Sequence, residues 1–425
     1  MEAPGLFKLS RGLLHMTSPG QLISVFNHHR HPCYDTSMID QPRILILSTG
    51  AGQGHNRAAQ ALEAAAQKIV PEGTVRRLDS LDYTTESFRA IYSKYYIETV
   101  KNAPTLWGWA FQQTDVPWRA QALREWFERI NAQPLVREIL EFEADFVINT
   151  HSVPAAVTSH LLRRGKIRAH NSVVVTDFYA HASWLVRQFH RYFVAHEEER
   201  KQLMAYGIPG ERISVTGIPV APEFSEKKDP AVLRRELGLD PELPMVLLAA
   251  GAFGVVPVQE MLSPLLEVPA KYQITVLCGR NKKLKKTVES FLEGRTEEFP
   301  RFTVLGYTEK IHRWMGAADL FITKPGGLSS AESLAMGLPM VLTDPIPGQE
   351  VSNAMYLLEH GAAVIPTSTS TIGYKVEKLL TRPDSLERIK TAAGRLGRPA
   401  AAETILKTLL SCAGDGFVSL EKPEE

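Results

Sequence analysis

Cysteine is scarce in this chain. The three residues, at 33, 278 and 412, lie far apart and form neither a metal-ligand spacing nor a disulfide framework, which fits a reducing cytoplasm. No apolar run approaches the ~18 residues needed to span a bilayer, and no secretory signal is recognisable. Excess charge of either sign is also missing. A net charge of +1 argues against bulk attraction to nucleic acid. What is present is ordinary: 44% apolar and 22% charged residues over 425 positions, a globular chain with room for two domains. Two basic clusters, Asn281–Lys286 and Arg163–Arg168, read first as solvated faces. Anionic lipid is their functional alternative, at roughly 1 kcal/mol per basic side chain near the surface.

The most informative stretch is Phe321 to Thr343, FITKPGGLSSAESLAMGLPMVLT. It reads as strand, glycine turn, helix, strand. Gly326 and Gly327 allow a tight turn and close approach of the backbone to a ligand. Ser329 and Ser330 sit in the first turn of a helix, whose free N–H groups and dipole favour an anion. Glu332 lies one turn further on, where a carboxylate suits the two hydroxyls of a ribose. An ordinary strand–turn–helix of an α/β fold is the competing reading. Gln349, Glu350 and Asn353 follow the next strand and sit at the start of another helix. Ribose and phosphates at one loop, with amide and carboxylate groups at the next, describe a nucleotide-sugar site at the carboxyl edge of a parallel sheet.

Near the amino terminus, Arg43 to Ser48 is a strand that runs into Thr-Gly-Ala-Gly-Gln-Gly-His55. The helix that follows is apolar at Ala58, Leu62, Ala65 and Ile69. The glycines at 50, 52 and 54 do not form a dinucleotide fingerprint, because the third glycine would fall at His55. A histidine at that turn is either a satisfied helix-start residue or a base in a cleft.

Strands are expected at 43–48, 74–78, 145–149, 172–177, 191–194 and 212–216, and again at 245–250, 273–278, 302–305, 320–323, 339–342 and 363–365. The alternation with helices gives two doubly wound parallel-sheet domains, α/β in class, facing across a cleft. Their expected bounds are 41–217 and 218–397, with irregular tails at 1–40 and 413–425 and a last helix at 398–412. Residues 80–134 interrupt the pattern with an insert holding four of the six tryptophans, Trp107, Trp109, Trp118 and Trp126. Such aromatics are usually core. Beside Arg119, Arg124 and Arg129 they also suit a helix lying in a lipid headgroup layer, with Trp107 and Trp109 as membrane contacts.

Gly54-His55 before an alanine-rich helix, Val174-Val-Thr-Asp-Phe178, and Lys324-Pro-Gly-Gly327 with Pro347-Gly-Gln-Glu350 and Asn353 resemble one group of glycosyltransferases. These are the monogalactosyldiacylglycerol synthases and the processive diacylglycerol glucosyltransferases of bacteria, related to the transferase that completes lipid II. The resemblance covers roughly residues 42 to 412. It implies a GT-B fold, an inverting mechanism, UDP-glucose or UDP-galactose as donor, and diacylglycerol as acceptor. It further implies a peripheral site of action on the cytoplasmic face of the membrane, no cofactor, and a last helix packing back on the first domain. No Asp-x-Asp pair occurs, so a metal-held diphosphate is not expected.

On this resemblance the backbone of Gly326, Gly327, Leu328 and Ser329 receives the leaving diphosphate, faced by a second turn at Gly251 and Gly254. That turn departs from the glycine-richer loop usual in the group by carrying Phe253. Arg280 and Asn281 border the uracil, Glu332 holds the ribose, and Gln349, Glu350 and Asn353 take the sugar hydroxyls. His55 is the expected base, with Asp177 as competing base or orienting group. Gly54, His151, His181 and Trp184 shape the acceptor site. A polyprenyl-linked acceptor, a UDP-sugar 2-epimerase and a non-catalytic UDP-sugar sensor are the rival readings.

Overall fold

The computed structural model describes residues 41–50, 53–84, 103–118, 133–226, 228–251, 258–294 and 301–420. The amino-terminal tail, Phe253, Gly254, Trp126 and the three arginines of the insert lie outside the described residues. The first domain is built on β1 (Arg43–Ser48), β2 (Thr74–Asp79), β3 (Phe146–Asn149), β4 (His170–Val174), the two-residue β5 (Gln188–Phe189), β6 (Arg191–Val194) and β7 (Ile213–Val215). Six of these form a parallel sheet in the order β2-β1-β3-β4-β6-β7. The second domain repeats the scheme with β8 (Met245–Ala249), β9 (Gln273–Leu277), β10 (Arg301–Leu305), β11 (Leu320–Thr323), β12 (Met340–Leu342) and β13 (Ala363–Val364). Its parallel order is β10-β9-β8-β11-β12-β13.

The central strands are unbroken apolar runs because helices cover both faces of each sheet. Ile44 to Leu47 and Met245 to Leu248 are fully buried. In each sheet the strand order reverses beside the first strand, between β1 and β3 and between β8 and β11. A crevice opens at such a point, outside the carboxyl ends of the strands. Every loop that carries a candidate site residue leaves one of these carboxyl ends or follows it closely.

Six helices position the site: α1 (Gln53–Ile69), α2 (Pro104–Thr114), α3 (Glu197–Ala205), α4 (Gly327–Met336), α5 (Gln349–Glu359) and α6 (Ala401–Ser411). Helix α6 returns to the first domain, where Ile405, Leu406 and Leu409 join Ala61 and Leu62 of α1 in one apolar cluster. The chain therefore crosses between domains twice. The crossings lie side by side: a Cβ on Gly217 would sit 2.4 Å from Cβ of Arg398. Gly217 also has φ +89°, so glycine is required there on both counts.

The segment after α6 is more ordered than a tail. Strand β14 (Val418–Ser419) pairs antiparallel with β5, and Asp415 takes ion pairs from Arg191 and Arg212 at 3.2 Å each. Two residues of pairing are too short to read from sequence. Strand β4 also differs from its expected span, running 170–174 rather than 172–177. The chain leaves the sheet early there and carries Thr176 and Asp177 on a loop. Among the described residues no helix is long and apolar enough to cross a membrane.

Ile405 is fully buried between α6 and α1. Ile405→Ala should lower unfolding free energy by about 2–5 kcal/mol, read from the denaturant midpoint.

Candidate active site

His55 lies in the first described turn of α1, at the end of the first-domain crevice. Its Nδ1 is 3.1 Å from the carbonyl of Thr150 and 2.7 Å from Oγ1 of Thr176. A carbonyl only accepts, so this contact places the proton on Nδ1 and leaves the lone pair on Nε2. Thr150 in turn donates its hydroxyl to the His55 carbonyl at 3.2 Å. The ends of β3 and β4 thus fix one tautomer. Burial lowers the His55 pKa, and the Asp177 carboxylate opposes that shift. The result is a neutral imidazole with a basic Nε2.

His151 sits edge-on to His55 with ring centroids 4.6 Å apart, and Trp184 is 6.3 Å from both rings. Burial, reinforced by His55, holds His151 well below its usual value. Its Nδ1 accepts the N–H of Val153 and caps the helix Ser152–Arg163. Trp184 is a buried core residue that walls this pocket. His181 accepts the N–H of Ser183 on Nδ1, so its Nε2–H donates to the carbonyl of Phe111 in α2 at 3.1 Å.

The second domain meets this edge closely. A Cβ on Gly327 would lie 2.1 Å from the carbonyl oxygen of Thr176 and 2.9 Å from Oδ1 of Asp177. Glycine here lets the amino end of α4 touch the β4 loop. Asn353 locks the same junction and is fully buried. Its Oδ1 accepts the N–H of Phe178 at 2.8 Å, and its Nδ2 donates to Asp177 and to the carbonyl of Pro325 at 3.0 Å each. In this arrangement Asn353 is engaged with the other domain rather than open to a sugar hydroxyl. Burial raises the Asp177 pKa, while His55 and the Asn353 amide pull it back.

Glu332 is 2% exposed and pairs with Nη2 of Arg57 at 2.5 Å. Burial pushes its pKa up to about 7, against the pull of Arg57. Glu350 accepts the N–H of Ile346 at 2.7 Å. Its pKa is raised by burial, with Lys324 opposing. Gln349 opens α5 beside it. Just past the carboxyl end of β8, the neighbour of β11, Gly251 has φ +76°. Arg280 stacks over Tyr307 at 4.7 Å, and the Asn281 side chain caps its helix by accepting the N–H of Leu284. Leu328 is buried against Gly54, whose added Cβ would be 3.7 Å away.

Helix α2 bridges the domains. A Cβ on Gly108 would meet Pro347 at 2.6 Å, and one on Gly348 would meet the Phe111 ring at 2.7 Å. Asp115, just past α2, accepts the N–H of Ala182 and the hydroxyl of Tyr179. Leu106 and Trp109, one turn apart, are 56% and 60% exposed, whereas Trp107 is half-buried. Sequence reasoning did not single out Arg57, or Thr150 as the group that orients His55. Arg57 was legible only as a charge on an alanine-rich helix, and nothing in a single sequence names its partner 275 positions away.

Gly327→Ala should force the domains apart, because backbone stands in the way. Sugar transfer should be lost and the radius of gyration in small-angle scattering should rise. Gly326→Ala is the control. Its Cβ would meet nothing nearer than Glu350 Oε1 at 4.0 Å, so it should stay compact.

Two family models match the chain: monogalactosyldiacylglycerol (MGDG) synthase over residues 55–220 and the glycosyltransferase family 28 C-terminal domain over residues 255–405. The chain is 32% identical to a processive diacylglycerol beta-glucosyltransferase of Bacillus mycoides, over 88% of this chain and 95% of that protein. Among solved structures, MurG of Acinetobacter baumannii has TM-score 0.54 at 14% identity, covering 87% of this chain and 99% of its own. UDP-GlcNAc 2-epimerase of Neisseria meningitidis has TM-score 0.57 at 13% identity, covering 87% and 99%. At those identities the structures share the two-domain fold alone. The sequence matches carry the finer assignment: the chain belongs to the monogalactosyldiacylglycerol synthase and processive diacylglycerol glucosyltransferase family of GT-B glycosyltransferases.

Proposed function

We propose that the protein transfers a hexose from UDP-glucose or UDP-galactose to diacylglycerol, with inversion, at the cytoplasmic face of a membrane. The observation that carries this reading is the His55 imidazole, held as a neutral Nδ1–H tautomer by Thr150 where the two domains meet. In this mechanism Nε2 of His55 takes the proton of the acceptor hydroxyl. The freed oxygen attacks the anomeric carbon and the bond to the diphosphate breaks on the opposite face. The departing charge falls on the N–H groups at the start of α4, from Gly327 to Ser329, where the helix dipole also favours it. Asp177 stabilises the imidazolium that forms.

Glu332 takes the ribose hydroxyls and Gln349 and Glu350 the sugar, with Asn353 available once the clasp to Asp177 relaxes. His151, His181 and Trp184 shape the acceptor channel. Leu106 and Trp109 face away from the contacts that α2 makes with Pro347 and Gly348, so they are free to enter a lipid surface. A polyprenyl acceptor or an epimerase reaction would use the same fold. The match to the MGDG synthase model over residues 55–220, the half that holds His55 and α2, favours diacylglycerol.

Incubation with each UDP-sugar and diacylglycerol vesicles should yield glycosyldiacylglycerol, identified by mass spectrometry. His55→Ala should lower kcat by on the order of 10²–10⁴ with donor affinity nearly unchanged. Transfer at the parent rate by His55→Ala, with loss in Asp177→Asn, would make Asp177 the base.

The double substitution Leu106→Ser and Trp109→Ser should reduce co-sedimentation with vesicles. The residues are exposed, so thermal stability and UDP affinity should not move.

A further inference from the structure

Glu332 and Arg57 belong to different domains, and the reading of Glu332 as the ribose ligand leaves its partner without a role. Three elements meet at Arg57. Its own helix α1 carries it out of the first domain. The linker turn Pro222–Phe224 places a ring under it, with the guanidinium carbon 5.7 Å from the Phe224 centroid. Helix α4 of the second domain brings Glu332 Oε1 to its Nη2. Ala58, Phe224, Leu328 and Ala331 pack in one apolar cluster around this point. The carboxylate is the deep partner and the arginine the shallower one, at 2% and 32% side-chain exposure. Among the described residues, Arg57 is the one charged partner of Glu332, and no hydrogen bond occupies the second carboxylate oxygen.

We propose that Arg57 is a positioning residue of the donor site, supplied across the cleft by the acceptor domain. It aligns the Glu332 carboxylate for the ribose hydroxyls and makes that alignment depend on domain closure. The proposal rests on the ribose role of Glu332 given above. Arg57 takes Oε1 and leaves Oε2 to accept from the ribose. Its stacking on Phe224 ties the geometry to the linker on which the domains turn, so an open molecule presents a differently set carboxylate.

A charge consequence follows. A protonated carboxyl has one fewer acceptor position for a diol, so donor binding needs Glu332 ionised. With its pKa already raised to about 7 by burial, the charge is lost as pH falls through that value. Removing Arg57 removes the group that opposes the shift. The loss then begins at higher pH.

The test is calorimetric titration of the full chain with UDP-glucose, without acceptor, from about pH 6 to 9. The diphosphate diester of this probe does not titrate near neutrality. Arg57→Ala should weaken binding roughly tenfold or more at pH 7, with the midpoint of the pH dependence moved upward. Arg57→Lys, which keeps the charge, should lie between the two and guards against a folding defect in the alanine variant. Glu332→Gln should bind weakly with that pH dependence removed, and adding Arg57→Ala to it should change nothing further. If Glu332→Gln binds like the parent, the ribose reading itself fails. If Glu332→Gln is weak but Arg57→Ala binds as well as the parent or better, Arg57 does not position the carboxylate and the proposal is overturned. Equal weakening by Arg57→Ala in the Glu332→Gln background would also overturn it, since Arg57 would then act on the donor directly.

Discussion

The site depends on one buried amide. Asn353 holds the β4 loop through Phe178 and Asp177, and the β11 loop through Pro325. The clasp is one part of a junction that the close approach of Gly327 to Thr176, helix α2 and the Arg57–Glu332 pair also hold. There the His55 imidazole meets the Thr176 hydroxyl and the amino end of α4 meets the Thr176 carbonyl. Desolvation by the surrounding protein gives the shifts a common direction. The carboxyls of Asp177, Glu332 and Glu350 are all raised by burial, and His55 and His151 are lowered by it. Each group is moved toward neutrality, and the charged partners Arg57 of Glu332 and Lys324 of Glu350 pull the carboxyls back toward the ionised form that accepts from hydroxyls.

Glycine has the complementary part. At Gly327 the missing Cβ admits a carbonyl of the opposite domain. At Gly108 and Gly348 it admits Pro347 and Phe111, so that α2 seals the side of the cleft. A motif that reads as a ligand cradle is therefore also a docking surface between domains. The two uses have one physical basis, since a backbone without a Cβ is able to approach a phosphate or a carbonyl closely.

The sheets, the site loops and the position of His55 were legible because they are encoded locally. An apolar run followed by glycines and a helix names its own carboxyl edge. What joins the loops was not legible. Asn353 reads as a polar residue suited to sugar, and only the packed structure shows it engaged with three groups of other loops. Thr150 reads as the residue just past a strand, with no sign that its carbonyl sets a tautomer. Pairings such as Arg57 with Glu332 arise from the rotation of one domain against the other, which periodicity and spacing do not carry. The aromatic insert was legible as an interruption. Its division into a half-buried Trp107 and an exposed Trp109 depends on which face of α2 meets Pro347.

The return of α6 to the first domain has a consequence for biosynthesis. Leu62 and Ile405 share one cluster, yet about 340 residues are made between them. At ~5–20 residues per second, the part of α1 that α6 covers waits roughly 20–70 s for its partner. The second domain is contiguous and is able to fold in that interval. The first domain, although it is translated first, is completed only when α6 has been made.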